Sequence, residues 1–228
     1  MNIHVELPEN KEEISVRIDE AKEIRSIVEK NNLNKCLEVG LAYGMSANYI
    51  LSASSKVRLT SLDPFQKSDY NNLGLANIQQ NGYSDRHIHI DKLSSIALPE
   101  LLSAGEKFDF VFIDGDHKFE AALMDFIYAA ELVEIGGIIV VDDLWMRALQ
   151  LVKEYVKRNR PDFQEVKLNS VNLFAFKKIN EDQRDGMFFR EFYTRKGFLK
   201  YHLNRLAWED KTVFGKLIKR VKNIVRGR

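Results

Sequence analysis

Acidic residues and one histidine follow two apolar segments in the middle of the chain. Phe108 to Ile113 is followed by Asp114-Gly115-Asp116-His117, and Ile138 to Val141 is followed by Asp142-Asp143. Histidine is a reasonable base near neutral pH, and a carboxylate can take the same role. These residues are therefore candidates for acid–base chemistry if the fold brings them together.

The segment between the two apolar runs is expected to bring them together. Its apolar residues recur at the spacing of one helix face, and Gly136-Gly137 is expected to end that helix. A strand, a crossover helix and a second strand form a βαβ unit, whose parallel strands share a carboxyl-terminal edge. Open α/β sheets bind ligands at this edge, so the sequence predicts a ligand site with four carboxylates and a histidine.

The bulk properties are those of an ordinary globular protein. The 228 residues suffice for one α/β domain with a sizeable core and an appendage. A single cysteine, Cys36, excludes a disulfide framework. No apolar run approaches the ~20 residues that span a bilayer, and the acidic, polar start is unlike a signal peptide. A cytoplasmic location is therefore expected.

Charge is distributed unevenly along the chain. Residues 181–228 contain 13 Lys/Arg and 6 Asp/Glu, a net charge of +7, whereas residues 1–180 contain 21 and 27, a net charge of −6. We therefore expect a first domain over residues 1–180 and a distinct C-terminal extension over residues 181–228.

A glycine-bounded turn follows the first predicted strand, in the sequence Glu38-Val39-Gly40-Leu41-Ala42-Tyr43-Gly44. The spacing G-x-x-x-G differs from the G-x-G-x-x-G that binds a pyrophosphate at a helix N-terminus. Glu38 places a negative charge beside the turn, which suits a cationic ligand. The alternative is a strand-to-helix turn whose glycines serve only backbone geometry.

Two further strand ends carry polar residues. Asp63 follows the strand Val57 to Leu62, where nucleotide-binding α/β folds place an acid that binds ribose hydroxyls, although an Asp before Pro64 is also a common turn residue. His87 and His89 face the same side of a short strand; exposed edge positions are favoured over a metal site because no third soft ligand is nearby.

The strand and helix patterns alternate five times and then end in two strands, Gln164 to Leu168 and Leu173 to Lys177. This layout, with E-V-G-L-A-Y-G at the first turn and L-D-P after the second strand, resembles the class I S-adenosylmethionine-dependent methyltransferases. The series I-D-G-D-H-x-F-E and G-G-I-I-V-V-D-D resembles a narrower group, the metal-dependent catechol-type O-methyltransferases and their relatives acting on sugars and natural products. The resemblance covers roughly Leu33 to Lys178.

The resemblance implies a fold and a set of residue roles. The fold is a Rossmann-like α/β class I methyltransferase: a seven-stranded, mostly parallel sheet with a terminal antiparallel hairpin and helices on both faces, here followed by a helical C-terminal extension. The implied cofactor residues are Glu38, Gly40, Gly44, Asp63, Ser94 and Asp114, with Ser94 near the adenine even though the usual neighbouring glycine is absent. The implied metal ligands are Asp114, Asp142 and Asp143.

Elementary physics supports a metal at this place. Adjacent strands lie ~4.8 Å apart, so carboxylates at their ends can converge on one ion, and hard oxygen ligands suit Mg²⁺. Without a cation, carboxylates so close would repel each other and raise their own pKa values. The alternative is that Asp116 and Asp143 cap the helices that follow them.

The position of the general base departs from the catechol-type pattern. Those enzymes have a lysine three residues after the first metal aspartate, whereas this chain has His117 there and Lys118 next to it. His117 is the first candidate base and Asp116 the second, with Asp114 beside both in the expected catalytic group.

The C-terminal extension lies outside the resemblance. Lys211 to Arg228 contains seven Lys/Arg and no acid, and its apolar residues fall on one helix face. Such a helix can contact an anionic membrane surface, or it can pack against its own domain or a second subunit in a homodimer. Nucleic-acid binding is disfavoured because the first domain is acidic.

The sequence thus predicts a methyltransferase that uses S-adenosylmethionine and Mg²⁺ to methylate a hydroxyl of a small-molecule acceptor such as a saccharide, a phenol or a secondary metabolite. Two alternatives remain open. One is a metal-independent methyltransferase of the same fold, in which Asp114, Asp116 and His117 act directly on substrate. The other is a non-catalytic cofactor-binding module that its basic tail recruits.

Overall fold

The apolar segments of the sequence form one mixed β-sheet in the computed structural model, which describes residues 3–9 and 15–192. Seven strands are present in that part of the chain: Lys35–Val39 (β1), Arg58–Leu62 (β2), His87–Ile90 (β3), Phe108–Ile113 (β4), Val133–Val141 (β5), Phe163–Val166 (β6) and Phe174–Lys178 (β7). The strand order is β3-β2-β1-β4-β5-β7-β6. Strands β1 to β5 are parallel, and β7 is antiparallel to both β5 and β6.

Helices connect the strands and cover the sheet. The described residues form six of them: Ile18–Lys30 (α1), Met45–Leu51 (α2), Leu73–Gln80 (α3), Ser94–Ser103 (α4), Phe119–Leu132 (α5) and Arg147–Asn159 (α6). None of these helices is long and apolar enough to cross a membrane.

The core consists of two apolar layers, one on each face of the sheet. Alternate residues of β4 point to opposite layers, because successive side chains of a strand face opposite sides. Phe110 and Phe112 join the layer under α1, α2 and α3, whereas Val111 and Ile113 join the layer under α4, α5 and α6. The predicted fold class, with helices on both faces and a terminal antiparallel hairpin, is confirmed.

The predicted role of Gly136-Gly137 was wrong. Helix α5 ends at Leu132, and both glycines lie inside β5. Gly136 has φ +92°, and a Cβ on Gly137 would lie 2.8 Å from the carbonyl oxygen of Asp109. The register between β4 and β5 shifts at this point. The glycines therefore accommodate an irregularity in a parallel strand pair, which glycine permits because it lacks a Cβ.

The chain divides into two compact units, Met1–Phe188 and Phe189–Arg228. The predicted basic helix, Lys211 to Arg228, lies outside the described residues. The domain division between residues 180 and 181 stays a prediction.

Candidate active site

The predicted site residues come together at one edge of the sheet. Strand β1 lies between β2 and β4, so the chain leaves β1 toward one side of the sheet and later continues on the other side. The carboxyl ends of parallel strands at such a switch point form a crevice in which open α/β sheets bind ligands. The turn after β1 and the acidic segments after β4 and β5 all lie along this edge.

The glycine turn crosses directly over the end of β4. Gly40 has φ +89°, and a Cβ at this position would lie only 2.0 Å from the carbonyl oxygen of Asp114. Gly44 also has a positive φ, +77°, and immediately precedes α2. Backbone geometry therefore requires both glycines. The close approach of Gly40 to the Asp114 carbonyl oxygen links the turn to the acidic segment after β4.

Asp63 organises the same turn from the end of β2. Its Oδ2 atom accepts hydrogen bonds from the backbone N–H groups of Leu41 (3.1 Å) and Ala42 (2.8 Å), and its Oδ1 accepts one from Phe65 N–H (2.7 Å). Gln66 Nε2 donates to Asp63 Oδ2 and to the carbonyl oxygen of Ala42. The contribution of Gln66 was not predicted from the sequence. The ribose role of Asp63 stays a proposal.

Glu38 lies beneath helix α2 and is fully buried. Its carboxylate accepts hydrogen bonds from the hydroxyls of Ser46 (2.5 Å) and Ser61 (2.7 Å). Burial raises the pKa of Glu38 to about 8, although both serine hydrogen bonds oppose the shift. Glu38 is therefore tied to the start of α2 through Ser46 and to β2 through Ser61.

Three side chains converge beyond the turn, one each from Asp114, His117 and Asp143. His117 Nε2 lies 2.8 Å from Asp143 Oδ2 and 3.6 Å from Asp114 Oδ1. One possible ligand atom from each residue lies within 4.8 Å of the others, and this is the group in the described residues that could hold a metal ion. His117 thus stands in the cluster where the sequence prediction had placed Asp142.

The electrostatics of this cluster reflect crowded negative charge. Burial raises the pKa of Asp114. The Asp114 carboxylate and then the Asp143 carboxylate raise the pKa of His117 to about 10, so the imidazole is a cation here. Burial opposes ionisation of Asp143, but His117 and the Trp145 indole hold the pKa of Asp143 below its ordinary value.

Asp142 lies beside the cluster rather than within it. It is 5% exposed, and its Oδ1 accepts hydrogen bonds from Asp143 N–H (2.6 Å) and from Asn172 Nδ2 (2.7 Å). Burial, together with the neighbouring Asp114 charge, raises the pKa of Asp142 to about 8. Asn172 comes from the β6–β7 connection, and no local motif pointed to it.

Neither Asp116 nor Asp143 caps the following helix, since the first turns of α5 and α6 have no side-chain cap. Asp116 is exposed and bonds to Lys118, whose ammonium lowers the pKa of this carboxyl. Asp143 has φ +60° and accepts a hydrogen bond from Trp145 Nε1 at 2.7 Å. The capping alternative is therefore not realised.

The β3 side of the crevice differs in part from expectation. Ser94 is the first residue of α4 and is half-buried. Strand β3 lies at the sheet edge as predicted, but the two histidines are not exposed: His87 Nε2 lies 2.9 Å from Ser61 Oγ, and His89 Nε2 lies 2.7 Å from the carbonyl oxygen of Asp63. The exposed residue of this strand is Ile88, because the strand's other face turns outward.

We expect the Glu38→Gln variant to remove part of the pH dependence of stability. Between pH 4.5 and about 8, the unfolded chain has lost the Glu38 proton while the folded protein retains it. The folded state then binds more protons, so a rise in pH through this window destabilises the wild type. Glutamine does not ionise, so the variant should gain stability relative to wild type between about pH 5 and about pH 9. Urea denaturation midpoints of both proteins at the two pH values measure this gain. A midpoint difference between variant and wild type that is the same at both pH values would contradict the prediction.

Comparison with known proteins shows that the chain is similar to methyltransferases. The family profile described as "Methyltransferase domain" matches residues 37–144. Caffeoyl-CoA O-methyltransferase from Populus kitakamiensis is 31% identical over 141 residues, which cover 58% of this chain and 56% of that protein. O-methyltransferase imqG from Aspergillus flavus is 31% identical over 155 residues, which cover 65% and 60%. The chain thus spans little more than half the length of these two curated relatives.

A solved structure shows the same fold. The O-methyltransferase from Bacillus cereus, determined in complex with SAH, superposes with a TM-score of 0.62 at 21% identity, covering 72% of this chain and 83% of that one. Residues 37–144 therefore match a methyltransferase domain, and the chain has the same fold as this solved O-methyltransferase.

Proposed function

We propose that this protein is a divalent-metal-dependent O-methyltransferase, which transfers the methyl group of S-adenosylmethionine to a hydroxyl of a small molecule. The observation that supports it best is the double position of Asp114. Its carbonyl oxygen lies against Gly40 of the glycine turn, and its carboxylate lies in the cluster with His117 and Asp143. A cofactor on the turn and an acceptor at the cluster would therefore be neighbours.

The proposed cofactor site lies along the crevice at the carboxyl ends of the parallel strands. We propose that the turn at Gly40 and Gly44 lines the methionine part of the cofactor and that Glu38 acts there through Ser46. Asp63 is proposed to bind the ribose hydroxyls and Ser94 to lie near the adenine. The relatives named above support an O-methyl transfer of this type, because both are called O-methyltransferases.

The acidic cluster fits a hard divalent ion such as Mg²⁺. Asp114 and Asp143 converge, and Asp142, buried beside them, adds a third carboxyl whose pKa is raised by burial and by the Asp114 charge. We propose Asp114, Asp142 and Asp143 as the residues that would hold the ion, with Asn172 orienting Asp142 as an outer partner. When bound, the ion would lower the pKa of an acceptor hydroxyl and orient it.

The chain's own residues then have defined tasks. Asp114 and the glycine turn would align the acceptor oxygen with the sulfonium methyl group, so that an O–CH₃ bond would form as the S–CH₃ bond breaks and sulfur keeps the electron pair. His117 is a poor base while it pairs with Asp114 and Asp143, because these partners keep it protonated. With a cation held by those carboxylates, His117 would lose the partners that raise its pKa and would be able to accept the hydroxyl proton. Asp116 is the second candidate base.

Apolar groups beside the cluster indicate a planar or apolar part in the acceptor. Trp145 is 57% exposed while its indole N–H contacts Asp143, and Val171, next to Asn172, is 86% exposed. Solvent-facing aromatic and aliphatic surface beside a polar site is typical of small-molecule sites. We therefore rank a phenol or another apolar metabolite with vicinal oxygens above a saccharide.

A direct test uses methyl-labelled S-adenosylmethionine with paired acceptors, one with vicinal hydroxyls and one with a single hydroxyl, in Mg²⁺ or in EDTA. We expect label transfer to the vicinal acceptor in Mg²⁺ and loss of transfer in EDTA. Transfer that persists in EDTA would replace this proposal with the metal-independent alternative. Cofactor binding without turnover on any acceptor would favour the non-catalytic module.

The remaining expectations belong to the same proposal. A cytoplasmic location is proposed on the composition of the chain, and a homodimer or membrane contact through the basic C-terminal extension is proposed on the charge and apolar pattern of that extension.

A further inference from the structure

Four polar side chains form a continuous line across three strands and into helix α2. His87 on β3 contacts Ser61 on β2 (Nε2 to Oγ, 2.9 Å), Ser61 donates to Glu38 on β1 (2.7 Å), and Ser46 of α2 donates to the other oxygen of Glu38 (2.5 Å). Glu38, Ser46 and Ser61 are buried. We call this line the His87–Ser46 relay. It links the edge of the sheet to the glycine turn.

When Glu38 is ionised, the serine and imidazole protons of this relay can be arranged in only one way. Each serine has a single hydroxyl proton, and both serines direct it to the Glu38 carboxylate. Ser61 can then only accept from His87, so His87 must carry its proton on Nε2. Burial, and to a lesser degree His89, lowers the pKa of His87 to about 4, which is consistent with a neutral ring.

We propose that His87 is a positioning residue for the cofactor, acting through Ser61 and Glu38 on Ser46 and the glycine turn. This inference rests on the proposed cofactor site. No cofactor contact is assigned to His87 itself. It removes the freedom of the Ser61 hydroxyl to turn away from Glu38, and so fixes the carboxylate that holds Ser46 at the start of α2.

The hydrogen bonds of the relay are expected to contribute to cofactor affinity because its members are shielded from water. Buried polar groups that lose a partner are not compensated by solvent, and linked hydrogen bonds support one another. If His87 loses its donor, we expect S-adenosylmethionine to bind roughly fivefold more weakly, the equivalent of one hydrogen bond. The effect should appear in cofactor affinity and not in acceptor affinity.

Paired substitutions at residue 87 test this. His87→Gln keeps an N–H donor at a similar reach, whereas His87→Leu removes it. By calorimetry with S-adenosylmethionine at about pH 9, where Glu38 is mostly ionised, we expect wild-type affinity for His87→Gln and the roughly fivefold loss for His87→Leu. Ile88→Ala, on the exposed face of the same strand, controls for disturbance of β3. Equal affinity of His87→Leu and wild type, or equal loss in both variants, would overturn the proposal.

A double-mutant cycle shows whether His87 acts through Ser61. Ser61→Ala should weaken binding as His87→Leu does, and the double variant should bind no more weakly than Ser61→Ala alone. Additive losses would contradict the relay. If the wild type binds no S-adenosylmethionine, the proposed function fails as a whole; if it binds and the variants do not differ from it, only the relay fails.

The tautomer of His87 tests the order of donors, because a purely structural role for His87 would be compatible with either tautomer. At about pH 9, where Glu38 is ionised, ¹⁵N spectra of the histidine rings should show His87 protonated on Nε2. The Nδ1-protonated tautomer would contradict the proposed order of donors.

Discussion

Replacing Asp143 with asparagine is expected to lower methyl transfer at least ~100-fold while the fold remains intact. Asp143 contributes one of the two carboxylates that converge with His117, and the substitution removes its charge with almost no change in shape. Asn tolerates the φ of +60° at this position, so backbone strain should not confuse the result. The measurement is the turnover number with saturating cofactor and Mg²⁺.

A matched control lies on β5, the strand that Asp143 follows. Glu134→Gln makes the same chemical change at an exposed residue near the start of β5 and should leave turnover unchanged. Wild-type turnover in Asp143→Asn would contradict the role of the acidic cluster. A loss of turnover accompanied by a large drop in melting temperature would assign Asp143 to folding instead.

Replacing Gly40 with alanine is expected to destabilise the protein by about 3 kcal/mol and to abolish cofactor binding. An added Cβ would lie 2.0 Å from the carbonyl oxygen of Asp114, and φ is +89°. Either the turn or the end of β4 must move, and both moves separate the cofactor turn from the acidic cluster. Urea denaturation measures the first effect, and calorimetry with S-adenosylmethionine measures the second.

Gly82→Ala separates backbone strain from collision. Gly82 has φ +76°, but nothing lies within 4 Å of its added Cβ. The Gly82→Ala variant should lose only about 1 kcal/mol of unfolding free energy, the usual penalty for a side chain in the left-handed region. It should bind the cofactor normally. Equal losses at Gly40 and Gly82 would show that the close approach to Asp114 is not what constrains the turn.

The fold was largely predictable because its signals are local. Apolar runs that end in Asp-Gly, Asp-Pro or Asp-Asp marked the strands, and a strand–helix–strand series requires parallel strands with a shared edge. Gly136-Gly137 misled because glycine both ends helices and permits irregular strands. Which of the two applies depends on the neighbouring strand β4, and the local sequence does not contain that information.

The site was less predictable because its details depend on contacts between distant segments. Glu38 was correctly noticed, but its burial beneath α2 and its bonds to two serines are properties of the packed sheet. Asn172 reaches Asp142 across 30 residues of sequence. The inward orientation of His87 and His89 depends on which neighbouring groups can pair with their rings, and alternation along a strand does not reveal this.

Calorimetric titration of S-adenosylmethionine, followed by Mg²⁺, into wild type and Asp143→Asn tests whether the acidic cluster holds a metal ion beside the cofactor. We expect the cofactor to bind both proteins and the ion to bind only the wild type. Cofactor binding to both proteins without ion binding to either would leave the methyltransferase and remove its metal. If S-adenosylmethionine does not bind the wild type, the proposed function is contradicted.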